Sequence, residues 1–372
     1  MTDLPQRPEP GLLTRTRRST LASLVQKIVT PALSLLVTVV LARGLSAVDY
    51  GVYGVMQGLL PYFTLLTGLG LGYAFLRFIP EFHTHGQDGW VRRLVTVGLS
   101  LRGLASVAAL VVAVLLFGPI SGFLGLESTR EQFAVFGIAM ILTGEAILVS
   151  QALNGLFLHA WAVGAQIVYS LLKAVAVAVL VLRFRFTLTE ALWVEVATAA
   201  VILVLCYAAY RARFASRVPA ARGLREQSRR IARFSAFSIL NDVGAVVFDR
   251  STDYLVIGHY LTAVALGPYF FASQLAGYFG KLNVVLLFRP VVSPAFFEKY
   301  SRNPEQSGAL FQLLVKLCLF FSMPVLCAYP FIGREFVVAL GGSEFASSYA
   351  ILGIFIAMTP IEGLAYPCGL ML

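Results

Sequence analysis

Few side chains in this 372-residue sequence combine a chemically useful type with a place inside a long apolar run. Four of them are cations, Lys27, Arg102, Lys281 and Lys316, and lysines and arginines converging on one space would hold a dense anion. Lys27 shares a helical face with Thr30, Ser34 and Thr38, at offsets of three, seven and eleven, so one side of that helix is polar. The alternative for all four cations is to bury the stem and snorkel the charge to the headgroups. Asp242, Asp249 and Asp253 fall at offsets of seven and eleven, which places the latter two each within roughly 20° of Asp242 on one face of a continuous helix. Crowded carboxylates in a low-dielectric setting would take up a proton or Na⁺. Otherwise the same stripe serves as a gating network, with Arg250 three residues before Asp253 as a local partner. Glu145, Lys173 and Glu195 stand singly among apolar residues, and a Glu–Lys pair is expected there.

No nucleophile–base or metal-ligand spacing accompanies these residues. Cys206, Cys318, Cys327 and Cys368 lie singly in apolar stretches without a CxxC and read as core residues. His83 and His85 fall in a loop, and His159 and His259 at helix ends. Gly68, Gly70 and Gly72 make a GxGxG, but within an apolar helix rather than after a strand, which points to helix packing and not to a nucleotide. Tyr50, Tyr53, Tyr62, Tyr269 and Tyr278 are expected as interfacial anchors, with stacking on sugar faces as the second reading. No catalytic residue, metal or cofactor is expected. A proton or Na⁺ gradient, or the membrane potential, would be the only coupling agent.

The elements that must position these groups follow from composition. Hydrophobic residues make up 58% of the chain and charged ones 13%, against roughly 25% charged in a soluble protein, which excludes a cytosolic enzyme. Ten runs are each long enough to span a bilayer: 20–41, 51–75, 94–117, 133–158, 162–182, 191–210, 236–257, 264–288, 310–332 and 349–372. Long alternating strands are absent, so the expectation is an all-α integral membrane protein and not a barrel. The first eighteen residues carry four arginines but no cleavable apolar region, so the first span is expected to act as its own targeting signal. Net charge is +10, and its distribution sets orientation rather than nucleic-acid binding. With the N-terminus inside, cytoplasmic segments hold eighteen Lys and Arg against five outside, namely Arg43, Arg130, Arg183, Arg185 and Arg334. Eight of the eighteen lie between Arg211 and Arg233. That basic segment, 211–233, reads as a cytoplasmic linker on anionic lipid, joining an N-terminal lobe (1–210, spans one to six) to a C-terminal lobe (234–372, spans seven to ten).

The lobes repeat one another. At an offset of 216, LSAVDYGVY (Leu45 to Tyr53) aligns with LTAVALGPY (Leu261 to Tyr269), and nine of twenty-two positions from Leu45 to Leu66 are identical. Both copies begin at a second helix entered from the same side, so the repeats are parallel, about an axis along the membrane normal. In these segments, and in GLGLGYAFLRFIPEF, DYLVIGHYLTAVALGPYFFA and LGGSEFASSYAIL, the sequence resembles the multidrug/oligosaccharidyl-lipid/polysaccharide (MOP) exporter superfamily, and within it the polysaccharide-biosynthesis flippases.

The resemblance implies two helical lobes facing each other in a V, alternating access, and export of polyprenyl-diphosphate-linked oligosaccharide from the cytoplasmic leaflet of a prokaryotic cell membrane. Lys27, Arg102, Lys281 and Lys316 would then draw in the diphosphate. Family members usually complete twelve to fourteen spans, so the expectation is either a truncated chain or a second lobe short by two helices. A cell-wall precursor flippase and a drug/cation antiporter of the same superfamily are the alternative functions. A membrane glycosyltransferase or polymerase is disfavoured, because the outer loops are short and hold no acidic motif. Polysaccharide polymerase and glycosyltransferases are the expected protein partners, and nucleic acid is not one.

Overall fold

Inside hydrocarbon each backbone N–H and C=O must be paired within its own segment, so long apolar runs fold as helices. The computed structural model describes residues 10–183, 186–219, 221, 225–281 and 304–371. The first half contains α1 (Pro10–Gly44), α2 (Ala47–Gly68), α3 (Leu71–Thr84), α4 (Asp88–Leu115), α5 (Phe117–Leu124), α6 (Arg130–Gly155), α7 (His159–Arg183) and α8 (Leu188–Arg213). The second contains α9 (Arg225–Val247), α10 (Arg250–Tyr260), α11 (Ala263–Lys281), α12 (Pro304–Gly341) and α13 (Ser348–Met371). No strand occurs among the described residues. Each expected run falls on one of these helices or on a bent pair, the eighth continuing past Lys281 outside the described residues. Among the described residues six helices are long and apolar enough to cross a membrane, or up to eight if each bent pair crosses as one.

Local chemistry marks the starts. The Ser46 hydroxyl accepts the Asp49 N–H at 3.1 Å to open α2, and Thr129 with Gln132 forms a capping box at α6. The second and seventh runs are interrupted. Between α2 and α3 the chain bends by 54°, with Leu69 and Gly70 at φ of 51° and 64°. A Cβ on Gly70 would lie 2.2 Å from the Ser235 carbonyl oxygen of α9, so this position needs both the left-handed backbone and the missing side chain. The glycine triplet therefore breaks a helix instead of sitting inside one. Between α9 and α10 the bend is 57°, and Asp249 caps α10 by accepting the Ser251 N–H at 2.8 Å.

The internal repeat is also a contact. A Cβ on Gly51 of α2 would meet the Ala263 carbonyl oxygen, and one on Gly267 of α11 would meet that of Ala47. Since 51 and 267, and 47 and 263, are equivalent at the offset of 216, the two contacts are one contact exchanged by a pseudo-two-fold axis. Gly54 touches Phe270, its own equivalent, so α2 and α11 run in the same direction. Small residues allow the backbones to meet closely without a hydrophobic driving force. Around this seam the two halves share one core: Tyr50 packs on Phe270 and Phe345, each with ring centroids 5.3 Å apart. A second cluster, with Phe75, Phe78, Ile79 and Leu153, binds α3, α4, α6 and α8 at the other end of the first half.

Candidate functional site

The polar face expected on α1 lines two adjoining cavities between the halves. The narrower, of about 240 Å³, is bounded by α1, α2, α7 and α11, with Ser34, Thr38, Tyr53, Gln57, Lys173 and Tyr278 in its wall. The wider, of about 630 Å³, has Lys27, Thr30, Ser34, Arg250 and Glu362 in its wall. Ser34 belongs to both, so the face from Lys27 to Thr38 runs along a single path.

The narrow cavity is built on a buried ion pair. Lys173 Nζ lies 2.6 Å from Glu195 Oε1, with the two side chains 16% and 10% exposed. Tyr53 donates its hydroxyl to the same carboxylate, and Gln57 Nε2 donates to the Tyr53 oxygen at 2.7 Å. A buried carboxylate holding a cation and a hydroxyl donor is compensated for its lost hydration. Opposite, Thr38 and Tyr278 share a hydrogen bond of 2.9 Å between α1 and α11. The expected Glu–Lys pair is therefore Lys173 with Glu195, while Glu145 belongs elsewhere. Gln57 and Tyr169, whose ring centroid lies 5.8 Å from Lys173 Nζ, join this network without being among the residues expected from sequence. Their signal was in the spacing, since Tyr53 with Gln57 and Tyr169 with Lys173 are each one turn apart.

In the wide cavity Arg250 pairs with Glu362 of α13 at 3.1 Å and stacks 4.9 Å over the Phe355 ring. It does not pair with Asp253, which instead accepts the Tyr269 hydroxyl at 2.7 Å. The single-face aspartate stripe is overturned by the bend at Phe248–Asp249. Asp242 stays on α9, Asp249 is spent on capping α10, and Asp253 lies beyond the bend. Arg250, read from sequence as a partner in that stripe, becomes a cavity cation alongside Lys27.

The other expected cations divide. Arg102 is 3% exposed, so it neither snorkels nor lines either cavity. Its guanidinium lies in the space left by Gly144 of α6, close enough to Glu145 for the charges to interact, with Nε and Nη2 making no hydrogen bond. Lys316 is exposed on α12 beside the exposed Leu313 and Phe320, the place of a snorkelling side chain and not of a cavity wall. Lys281 ends α11, and its side chain lies outside the described residues.

Tyr50 and Tyr53 are 1% and 4% exposed, which removes the reading of them as interfacial anchors. Tyr62 bonds Thr252 across the halves at 2.7 Å. Of the cysteines, Cys206 and Cys318 are core residues as expected, but Cys327 and Cys368 are exposed. No metal-ligand cluster occurs among the described residues.

Further polar contacts tie helices together outside the cavities. Where α1 ends, Arg43 donates to the carbonyls of Ala339 and Leu340 of α12, the latter at 2.9 Å, and His259 bonds the Phe123 carbonyl. Away from the cavities, Glu81 of α3 receives two bonds from Arg230 of α9, at 2.6 and 3.0 Å.

A polar path with charged walls therefore lies between two halves related by a parallel repeat. A family model described as polysaccharide biosynthesis protein matches residues 16–298. The chain belongs to that family. Its fold is that of solved MOP superfamily transporters, and its long apolar helices make it a multi-pass membrane protein. An inward-facing multidrug resistance MATE family transporter of the MOP superfamily superposes with a TM-score of 0.65 at 15% identity, over 94% of this chain and 82% of that one. The lipid II flippase MurJ, in an inward closed conformation, gives 0.67 at 13% identity over 95% and 74%. A MOP superfamily transporter from Pyrococcus furiosus gives 0.54 at 14% identity, over 95% and 80%. No curated protein sequence matches the chain.

Proposed function

We propose that this family member moves polyprenyl-diphosphate-linked oligosaccharide from the cytoplasmic to the outer leaflet of a prokaryotic inner membrane, without covalent chemistry. The observation that carries the reading is the polar face of α1, which lines both cavities and places Lys27 with Arg250 in the wider one. Two cations against the single carboxylate of Glu362, which a diphosphate would compete with for Arg250, suit such an anion. The hydroxyl- and amide-lined narrow cavity beyond it suits a glycan. With the N-terminus cytoplasmic, as the eighteen-to-five basic bias requires, the wide cavity faces inward and the α2–α11 seam closes the outer end. Release then requires Gly51 and Gly267 to separate from the backbones they touch as the halves rock. Asp253 and its Tyr269 partner are the candidates for coupling to a proton or Na⁺ gradient or to the potential. Polymerase and glycosyltransferases would act on the same lipid-linked glycan before and after transport.

The test uses the purified chain in liposomes, following the fraction of labelled lipid-linked glycan that reaches an impermeant reagent with time. Lys27→Ala is expected to slow translocation about tenfold, the effect of losing one charge-assisted contact, while Lys27→Arg retains most of the rate. Full rate in Lys27→Ala would remove the cationic-capture mechanism. A cell-wall precursor offered in parallel separates the two flippase readings, since both substrates carry the diphosphate and differ in the sugar. Drug/cation antiport is less well supported, because the wide cavity carries two cations against one carboxylate, Glu362, already paired to Arg250; movement of a cationic dye without any glycan-lipid would establish it instead.

A further inference from the structure

A second charged groove lies away from the transport path, between α3 and α9. It measures about 910 Å³ and is lined by Arg77, Arg229, Arg230 and Arg233 together with Phe78 and Phe234. Four guanidiniums meet one carboxylate there, Glu81, which is ion-paired to Arg230. Aromatic rings hold three of the four in place: Arg77 lies 4.6 Å from the Phe234 centroid, Arg230 5.0 Å from Phe78, and Arg233 6.0 Å from Phe237. Stacking orients a guanidinium through its face and leaves the N–H edges, the part that forks onto phosphate oxygens, turned outward. Arg77, Arg229 and Arg233 are exposed, so those edges meet solvent or headgroups.

The groove does not end at the charges. Phe237, Leu240, Val243 and Val247 follow Arg233 along α9 and are 62%, 68%, 40% and 50% exposed. Spaced at three, three and four residues, they form an apolar stripe continuing from the basic end of the helix. A phosphate held at the arginines with a hydrocarbon chain laid on that stripe would match both parts.

We propose that the α3–α9 groove is a binding site for the phosphate of an anionic lipid headgroup. The site does not depend on what the central path transports. It spans the two halves beside the Glu81–Arg230 bridge, so the bound phosphate competes with Glu81 for Arg230.

Native mass spectrometry of the full chain in detergent tests this, with three probes: phosphatidylglycerol, diacylglycerol of the same chains, and inorganic pyrophosphate. One phosphatidylglycerol is expected to be retained several-fold more than diacylglycerol, and Arg229→Gln/Arg233→Gln is expected to lower that occupancy about tenfold. Glu81→Gln, which removes the competing carboxylate, is expected to raise it. Pyrophosphate retained to the same degree and lost in Arg229→Gln/Arg233→Gln would overturn the lipid assignment, whereas phosphatidylglycerol alone lost in that variant supports it. Phosphatidylglycerol occupancy that is equal in the wild-type chain and the double variant, or matched by diacylglycerol, would overturn the site.

Discussion

Lys173 and Glu195 sit where neither charge is tolerated alone. Their pair is nearly buried, and Tyr53 and Gln57 are arranged around the carboxylate. Removing one partner leaves an uncompensated charge, which costs about 3–5 kcal/mol, whereas removing both leaves none. Lys173→Met and Glu195→Met are each expected to lower the thermal unfolding temperature markedly in detergent, and the double variant to recover most of the loss. Additive losses would show that the two residues act independently. Asp253 offers a separate test at this scale, since Asn keeps its shape. If it carries the coupling ion, Asp253→Asn is expected to leave substrate binding intact while transport in liposomes loses its dependence on an imposed proton or Na⁺ gradient. Unchanged gradient dependence would leave the Asp253–Tyr269 contact as a structural bond between α10 and α11.

Two helix breaks decide which side chains face the path. At the first, Gly70 adopts a positive φ against the Ser235 carbonyl, while nothing approaches the Cβ position of Gly68 two residues earlier. Gly70→Ala is expected to destabilise the protein by at least about 1 kcal/mol, from left-handed backbone cost alone, and to loosen α3 from α9. Gly68→Ala is the matched control and is expected to be neutral or slightly stabilising, because it ends a helix in open space. Equal melting temperatures for the two variants would remove the need for glycine at the bend. At the second break the chain turns between Phe248 and Asp249, which carries Arg250 toward Glu362 and Lys27 and sends Asp253 toward Tyr269.

The whole molecule is two halves joined at a symmetric seam and by a basic linker. Ala221 of that linker donates its N–H to the Gly89 carbonyl at 3.1 Å, and Arg92 donates to the Val218 carbonyl, so the linker is tied at these two residues to the start of α4. Its orientation is testable with Ser216→Cys, an exposed position, in a background where the four native cysteines are Ser. A membrane-impermeant thiol reagent added to intact cells is expected not to label it, and to label it fully after the membrane is opened. Labelling of intact cells would reverse the topology and place the wide cavity on the outer side.

The all-helical membrane architecture and the repeat were legible in the amino-acid sequence because they rest on sums over many residues. Apolar run length, the Lys/Arg bias and an offset of 216 survive errors at any one position. The polar face of α1 was legible for a related reason, since a helix with no break keeps its 3.6-residue period, and Lys27, Thr30, Ser34 and Thr38 stay aligned. Where a helix breaks, the period restarts, and the aspartate alignment across Phe248–Asp249 had no meaning in space. Only the tertiary structure decided which charges meet. Arg102 found Gly144 and Glu145, Arg250 found Glu362 more than a hundred residues away, and Lys173 found Glu195 from a neighbouring helix. Spacing along a chain fixes neighbours within one helix, but the partner of a buried charge is set by how helices pack, which depends on side chains distributed over the whole molecule.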